Sequence, residues 1–168
     1  MWYAAQVGTG RENSVMTHCK KLFKEEFYID CFVPRCEVQK KYQGDWHMEK
    51  KMLFPGYVFF ESEQIEELYL GLKAVPELTK FLGMGTELVS LYSYEVAFFE
   101  RFCGRNRVIE VSKGHLSGDK VVVTDGPMVG FEGYIKKIDR HKRIAYLEVE
   151  FFGRKTETQV GLEIVRKE

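Results

Sequence analysis

Two hydrophobic periods succeed one another along this chain. "WYAAQV" (2–7) predicts a short buried strand, "GTGR" breaks it, and Val15, Cys19, Leu22, Phe23 and Phe27 then recur at helical spacing. "CFVPRCEVQKKY" and "GYVFFES" predict strands, with the charged "YQGDWHMEKK" between them as a hairpin tip. In "SEQIEELYLGLKAV", Ser62 stands at a plausible N-cap and Ile65, Leu68 and Leu72 share a face. "LTKFLG" predicts a short strand closed by glycine, and "SLYSYEVAFFERFC" a helix with Val96, Phe99 and Cys103 on one side. The resulting order, β-α-β-β-α-β-α, is that of a split βαβ, ferredoxin-like sandwich whose helices cover one face of the sheet. The other face needs a second explanation.

Behind this block the helical period stops. "CGRNRVIEVSKGH" has no hydrophobic period and predicts a linker; after it "DKVVVTD", "GFEGYIKKID", "KRIAYLEVEF", "KTETQVG" and "LEIVRK" are five strand-length segments. Five short strands without a helix close only as a small barrel, because an open sheet of that size leaves its edges and one apolar face exposed. Val121, Val122, Val123, Ile135, Ile138, Ile144, Tyr146, Val149, Phe151 and Phe152 load the segment with β-branched and aromatic side chains, which favours strands over helices. Asp125-Gly126-Pro127 is turn chemistry, and Gly130 and Gly133 let the chain bend at a barrel corner. The expected fold class is therefore α+β, with residues 1–105 as the sandwich, 106–113 as the linker and 114–168 as the barrel.

Composition and charge narrow the function. The 168 residues are 45% hydrophobic and 14% aromatic, enough for one respectable core or two small ones. "LFPGYVFF" falls far short of the ~20 apolar residues of a membrane span, and "MWYAAQVGTG" has neither a basic leader nor a long apolar core, so a soluble, cytoplasmic protein is expected. Cys19, Cys31, Cys36 and Cys103 are too irregularly spaced for a disulfide framework and read as reduced thiols. Histidines 18, 47, 115 and 141 are scattered, and "GTGREN" lacks the third glycine and the Lys-Ser/Thr of a phosphate loop. No catalytic group, metal site or cofactor is expected.

Net charge is zero, but its distribution is uneven. Residues 113–168 hold 11 Lys/Arg against 9 Asp/Glu, leaving 14 against 16 for the remainder. "KKIDRHKR" supplies Lys136, Lys137, Arg140, His141, Lys142 and Arg143 with only Asp139 opposing, and Arg154 and Lys155 extend the basic set from the next turn. Charge runs are most often solvated loops. Two arginines with an interleaved histidine nonetheless suit paired phosphate or guanine contacts, and a compact basic edge reads an RNA hairpin by shape.

The same residues carry a resemblance. "GDKVVVTDGPMVGFEGYIKKID" and the later "FGRKT" resemble the KOW domain of NusG-type transcription elongation factors, which has an SH3-like barrel. "WYAAQV", Val33-Pro34, "FPGYVF" (54–59) and "VPELTKFLG" (75–83) resemble the NGN domain of the same family. The resemblance implies a monomeric protein that rides on RNA polymerase, its NGN domain docked on the clamp helices of the largest subunit. Tyr3, Leu53, Phe54, Tyr57 and Phe59 would then supply the polymerase-binding patch on the uncovered sheet face. "VPRC" at Val33–Cys36, where the family usually has "VPTE", and Met128 after "DGP" mark a specialised paralogue most similar to the LoaP group of operon-specific antiterminators. In that reading the basic KOW surface holds a hairpin in the nascent transcript. General members of the family instead hold a ribosomal protein or a termination factor, and Met128, Phe131 and Phe152 stand at the matching positions. A ribosome-associated KOW RNA-binding protein is a further alternative, which leaves "FPGYVF" and "VPELTKFLG" without a role.

Overall fold

The computed structural model describes residues 1–22, 30–75, 78–81, 90–151 and 153–165. They form two compact units. The first comprises Met1–Pro34 and Phe54–Val96, and the second comprises Arg35–Leu53 and Ala97–Glu168.

In the first unit the strands β1 (Trp2–Val7), β2 (Asp30–Phe32), β5 (Tyr57–Glu61) and β6 (Leu78–Phe81) form one sheet in the order β2-β5-β1-β6. All of its pairings are antiparallel. With helices α1 (Glu12–Leu22) and α2 (Ile65–Leu72) between strands, this is the split βαβ arrangement that the period predicts. Strand register sorts the side chains by face. Tyr3 pairs with Phe60, and Phe60 with Cys31, so these three share one face; Ala4 and Phe32 both pair with Phe59, and Gln6 with Tyr57, so Trp2, Phe32, Tyr57 and Phe59 share the other. On α2, Leu68 and Leu72 are buried as the pattern predicts; the helix starts after Gln64, whose N–H donates to Ser62 Oγ at 3.0 Å.

The "GTGR" break is fixed by a residue that periodicity passes over. Glu12 is fully buried, and its carboxylate accepts the N–H of Gly10 at 2.8 Å and that of Gly56 at 2.6 Å. Both glycines have positive φ, +90° and +89°. One carboxylate thus ties the β1–α1 turn to the turn that launches β5 and Tyr57. At the start of α3 (Ser93–Cys103), Glu95 reaches back to the Tyr92 N–H at 2.7 Å in the manner of a capping box.

The second unit begins where Pro34, without an N–H, ends the preceding ladder. Strands β3 (Arg35–Tyr42) and β4 (Asp45–Met52) make a full-length antiparallel hairpin, turned by Gln43 (φ +52°) and Gly44 (φ +84°) alone. The segment read from sequence as a hairpin tip is therefore mostly strand. The interval 106–113, read as a linker, contains β7 (Val108–Ile109), which pairs in parallel with β3 and buries Ile109 completely.

Beyond it, β8 (Ser112–Ser117), β9 (Lys120–Asp125), β10 (Ile135–Asp139), β11 (Ile144–Phe151) and β12 (Arg154–Ile164) form a curled five-stranded sheet of order β10-β11-β12-β8-β9, consistent with an SH3-like fold. Among the described residues no α-helix follows Cys103. Two segments depart from expectation. "KTETQVG" and the "LEI" that follows it are one continuous strand, and Glu132–Tyr134 is a 3-10 turn rather than strand. Gly126 makes the corner: its φ is +98°, and a Cβ there would lie 2.6 Å from Ser112 Cα. Buried Ser112 receives the Met128 N–H on its hydroxyl at 3.1 Å. Glu132 accepts the Val123 N–H at 2.9 Å, which holds its carboxyl below the usual range. No described helix is long and apolar enough to cross a membrane.

Candidate nucleic-acid interface

The eight basic residues singled out in the barrel do not form one patch. Arg140, His141 and Lys142 are exposed on the β10–β11 turn, where the one opposing acid is used locally: Asp139 Oδ1 accepts the Lys142 N–H at 3.0 Å. Arg154 stands at the opposite end of β11, whose seven steps from Ile144 to Phe151 span about 23 Å at about 3.3 Å per residue. Lys136 and Lys155 each lie 3.8 Å from Glu148, and Lys137 lies over the Tyr146 ring at 5.5 Å. These three are partnered on the strands themselves. Only Arg140–Arg143 gathers into a concave site.

Its second wall comes from a segment more than ninety residues earlier, the β3–β4 hairpin. Arg143, with φ +53°, lays its guanidinium 3.9 Å from the centre of the Trp46 ring, donates to Gln39 Oε1 at 3.0 Å and approaches Glu163 at 3.5 Å. Its charge is therefore spent inside the protein, as a pillar joining hairpin to barrel. Around this pillar a cavity of ≈ 550 Å³ is lined by Lys41, Trp46, Arg140, His141, Arg143 and Ile164. A second of ≈ 360 Å³ adds Lys40, Lys51 and Lys142 and shares Lys41, Trp46 and His141 with the first. Together they make one cleft, and no Asp or Glu lines either part. A third cavity of ≈ 600 Å³ in the same unit, by contrast, mixes Lys50, Arg101 and Arg105 with Glu37 and Glu110.

The polymerase-binding set is distributed differently from the expected patch. Tyr3, Leu53, Phe54 and Phe59 are buried and only Tyr57 is half-exposed. Tyr3 lies on the Phe60 face, away from Tyr57, and its burial raises the phenol's pKa. Phe59 packs against Phe32 (5.7 Å between ring centres) and Phe54 (6.4 Å), with Trp2 beyond Phe32 (5.2 Å). Alternation sent these aromatics inward, and Tyr57 alone keeps surface at their rim. Of the protein-partner residues, Met128 is buried and Phe131 is half-buried against Phe102 (4.9 Å) and Arg101 (4.9 Å), whereas Phe152 lies outside the described residues.

Sequence reasoning missed Lys40, Lys41, Trp46 and Lys51. The available signal was the pair of Lys-Lys doublets flanking an aromatic turn in "KKYQGDWHMEKK"; in the hairpin Lys41 pairs with Trp46 and Lys40 with His47 near the turn, and Lys51 with Cys36 nearer the base. Among the described residues no cluster of His, Cys, Asp and Glu could hold a metal ion.

Comparison with known proteins accounts for both units. The family model described as "Transcription termination factor nusG" matches residues 1–100, and the KOW motif matches residues 117–149. This chain belongs to the NusG family. It is 26% identical over 171 residues to the transcription termination/antitermination protein NusG of Rickettsia felis, covering 99% of this chain and 89% of that one. To the NusG of Thermus thermophilus it is 27% identical over 179 residues, covering 99% and 97%. A solved structure described as "Domain interaction in Thermotoga maritima NusG" superposes with a TM-score of 0.61 at 24% identity over 95% of this chain and 92% of that one, which supports the fold. The chain is thus a NusG-family transcription termination/antitermination factor. The cleft draws on both matched regions: the hairpin lies in the first and the 139–143 turn in the second.

Proposed function

We propose that this NusG-family member is an operon-specific antiterminator of the LoaP type, which binds RNA polymerase through its NGN region and a hairpin of the nascent transcript through its KOW region. The observation that carries this reading is the acid-free basic lining of the cleft at Arg140, His141 and Lys142. Phosphate oxygens are the natural complement of such a lining, and a turn that projects its cations from a rigid β-hairpin can follow the backbone of a folded RNA. The polymerase contact, on the clamp helices of the largest subunit, is assigned to Tyr57 at the rim of the Phe32, Phe54 and Phe59 cluster. Residues 1–105 and 114–168 would serve as the two binding modules of the NGN–KOW division. Holding polymerase and transcript at once makes the second contact effectively intramolecular, so modest affinity for RNA suffices for operon selection.

The test is transcription in vitro across an intrinsic terminator, with candidate leader hairpins placed upstream. Readthrough that requires one leader is the expected outcome. Readthrough equal on all templates would instead mark a general elongation factor, and readthrough on none would sink the antitermination reading.

A further inference from the structure

We propose that the β3–β4 hairpin is the second half of the RNA site, so that an RNA phosphodiester strand follows the cleft lined by Lys40, Lys41 and Lys51 of the hairpin and by Arg140 and Lys142 of the barrel turn, beside Trp46. The inference rests on the RNA-binding reading above and adds to it a wall that the barrel does not contain.

Three observations carry it. Hairpin lysines and turn cations line the same two cavities, which meet at Lys41, Trp46 and His141 without a carboxylate. Unlike charges of one sign gathered on scattered loops, these are held together by a built joint: Arg143 stacks on Trp46, bonds Gln39 and is neutralised by Glu163. That joint spends one arginine to fix the geometry and leaves five Lys/Arg side chains, with His141, distributed over the linings of the two adjoining cavities. Trp46 lines both cavities and is partly exposed beside the Arg143 stack and Lys41, whose Nζ is 5.9 Å from the ring centre; the surface it keeps is aromatic, of the kind that unpaired bases stack on. A protein ligand with an acidic segment would also satisfy the charges, but the indole beside a run of cations favours a nucleic acid, whose π-faces and phosphates alternate along the strand.

The expected magnitude follows from counterion release. Five contacts give a log–log salt slope of about 3.5 to 4.5, three of the five contacts belonging to the hairpin. Replacing Lys40, Lys41 and Lys51 by Gln should therefore lower the slope by about 2 to 3 and weaken binding about 100-fold or more near 0.1 M salt.

The experiment uses the full chain and the tightest stem-loop recovered from a random-loop RNA library by selection on it. Affinity is measured by fluorescence anisotropy at several salt concentrations for wild type, for K40Q/K41Q/K51Q, for R140Q/K142Q, and for K20Q/K21Q on α1 as a control of charge alone. Loss of affinity and slope in both cleft variants, with the control unchanged, is the expected result. If R140Q/K142Q loses binding while the hairpin triple variant binds like wild type, the barrel turn alone holds RNA and this inference is overturned with the RNA-binding reading intact. If neither cleft variant differs from wild type, the RNA-binding reading of the cleft fails as well. Tryptophan emission gives a readout that folding defects do not mimic: RNA should change the emission of wild type, and Trp46→Phe should remove that change while buried Trp2 remains. An emission change that survives Trp46→Phe places RNA elsewhere and overturns the proposal.

Discussion

Gly161→Ala is the smallest perturbation that tests whether hairpin and barrel are packed as described. Gly161 lies in β12 opposite Ile144 of β11, between fully buried Val160 and Leu162 at 2% exposure. A Cβ on it would sit 2.5 Å from the carbonyl oxygen of Glu37 on β3 and 2.8 Å from Val111 Cγ2. The first neighbour is backbone, so relief requires β3 itself to move away from β12. Adding a methyl group to such a contact costs about 1–3 kcal/mol. For a chain of this length each kcal/mol moves Tm by about 2–4 °C, so a 2 kcal/mol loss lowers it by about 4–8 °C.

Circular dichroism melting is the assay, with Gly8→Ala as the comparison, since a Cβ there meets nothing nearer than Arg11 Cγ at 3.6 Å. Gly8→Ala should stay within about 0.5 kcal/mol of wild type. Thr158 supplies an independent tie three residues away, its hydroxyl donating to Leu53 O at 2.6 Å in a buried setting. Thr158→Val leaves that carbonyl without this donor and should cost about 1–3 kcal/mol. Because both changes loosen the same contact, their sum should exceed the double variant's loss. A Gly161→Ala protein that melts within about 1 °C of wild type would refute the close approach of β3 to β12, and with it the geometry of the cleft wall.

Three further outcomes follow from two carboxylates that accept backbone N–H groups and from the buried thiols. Glu12→Gln turns an acceptor of two glycine N–H bonds partly into a donor, so stability should fall by about 1–3 kcal/mol in a urea titration; under the proposed assignment of the polymerase contact to Tyr57, a pull-down should also weaken because Gly56 loses its anchor. Glu132, whose folded pKa lies below its ordinary 4.5 because Val123 N–H bonds its charged form, stabilises the barrel fully above about pH 4.5, and that contribution is lost as pH falls through the lowered folded value. Melting curves of wild type and Glu132→Gln taken from about pH 6 down to about pH 3 should therefore converge at the acid end. All four cysteines are buried and free of disulfides; burial pushes Cys36 up to about 11 and Cys103 up to about 12, and a hydrogen bond with Cys19 raises Cys31, so a thiol reagent near pH 8 should label the native protein slowly and all four sites in guanidinium.

Glycine shows why part of this fold was legible and part was not. At Gly10, Gly44 and Gly126 the residue does what its backbone freedom suggests, turning the chain at positive φ, and the sequence reading placed breaks or corners at all three. At Gly161 the same residue type was read as a strand end, whereas φ there is ordinary and β12 runs straight through; the glycine is needed because another backbone passes within contact of it. Local pattern encodes the first use and not the second, which depends on a strand more than a hundred residues away. The same distinction governs the site. Alternation and helical period located the strands, the helices and the basic run, but burial of Phe54 and Phe59 and the separation of Arg154 from Arg140 depend on which face and which end of a strand each occupies.

Arg143 carries the argument furthest. Its charge and its place in "KKIDRHKR" marked it for phosphate, and an Arg140→Ala/Arg143→Ala variant would be the obvious probe of RNA binding. In the folded protein its guanidinium is committed to Trp46, Gln39 and Glu163. Removing it should release the hairpin from the barrel, leave Glu163 without this partner and widen the cleft, so stability and RNA affinity fall together. Arg140→Ala, on an exposed side chain, should reduce affinity and salt slope with Tm unchanged. Measuring Tm and salt slope on the two single variants separates pillar from ligand contact: an Arg143→Ala protein that keeps its Tm and loses only about one unit of slope would show that this arginine meets RNA directly and that the stack on Trp46 is incidental.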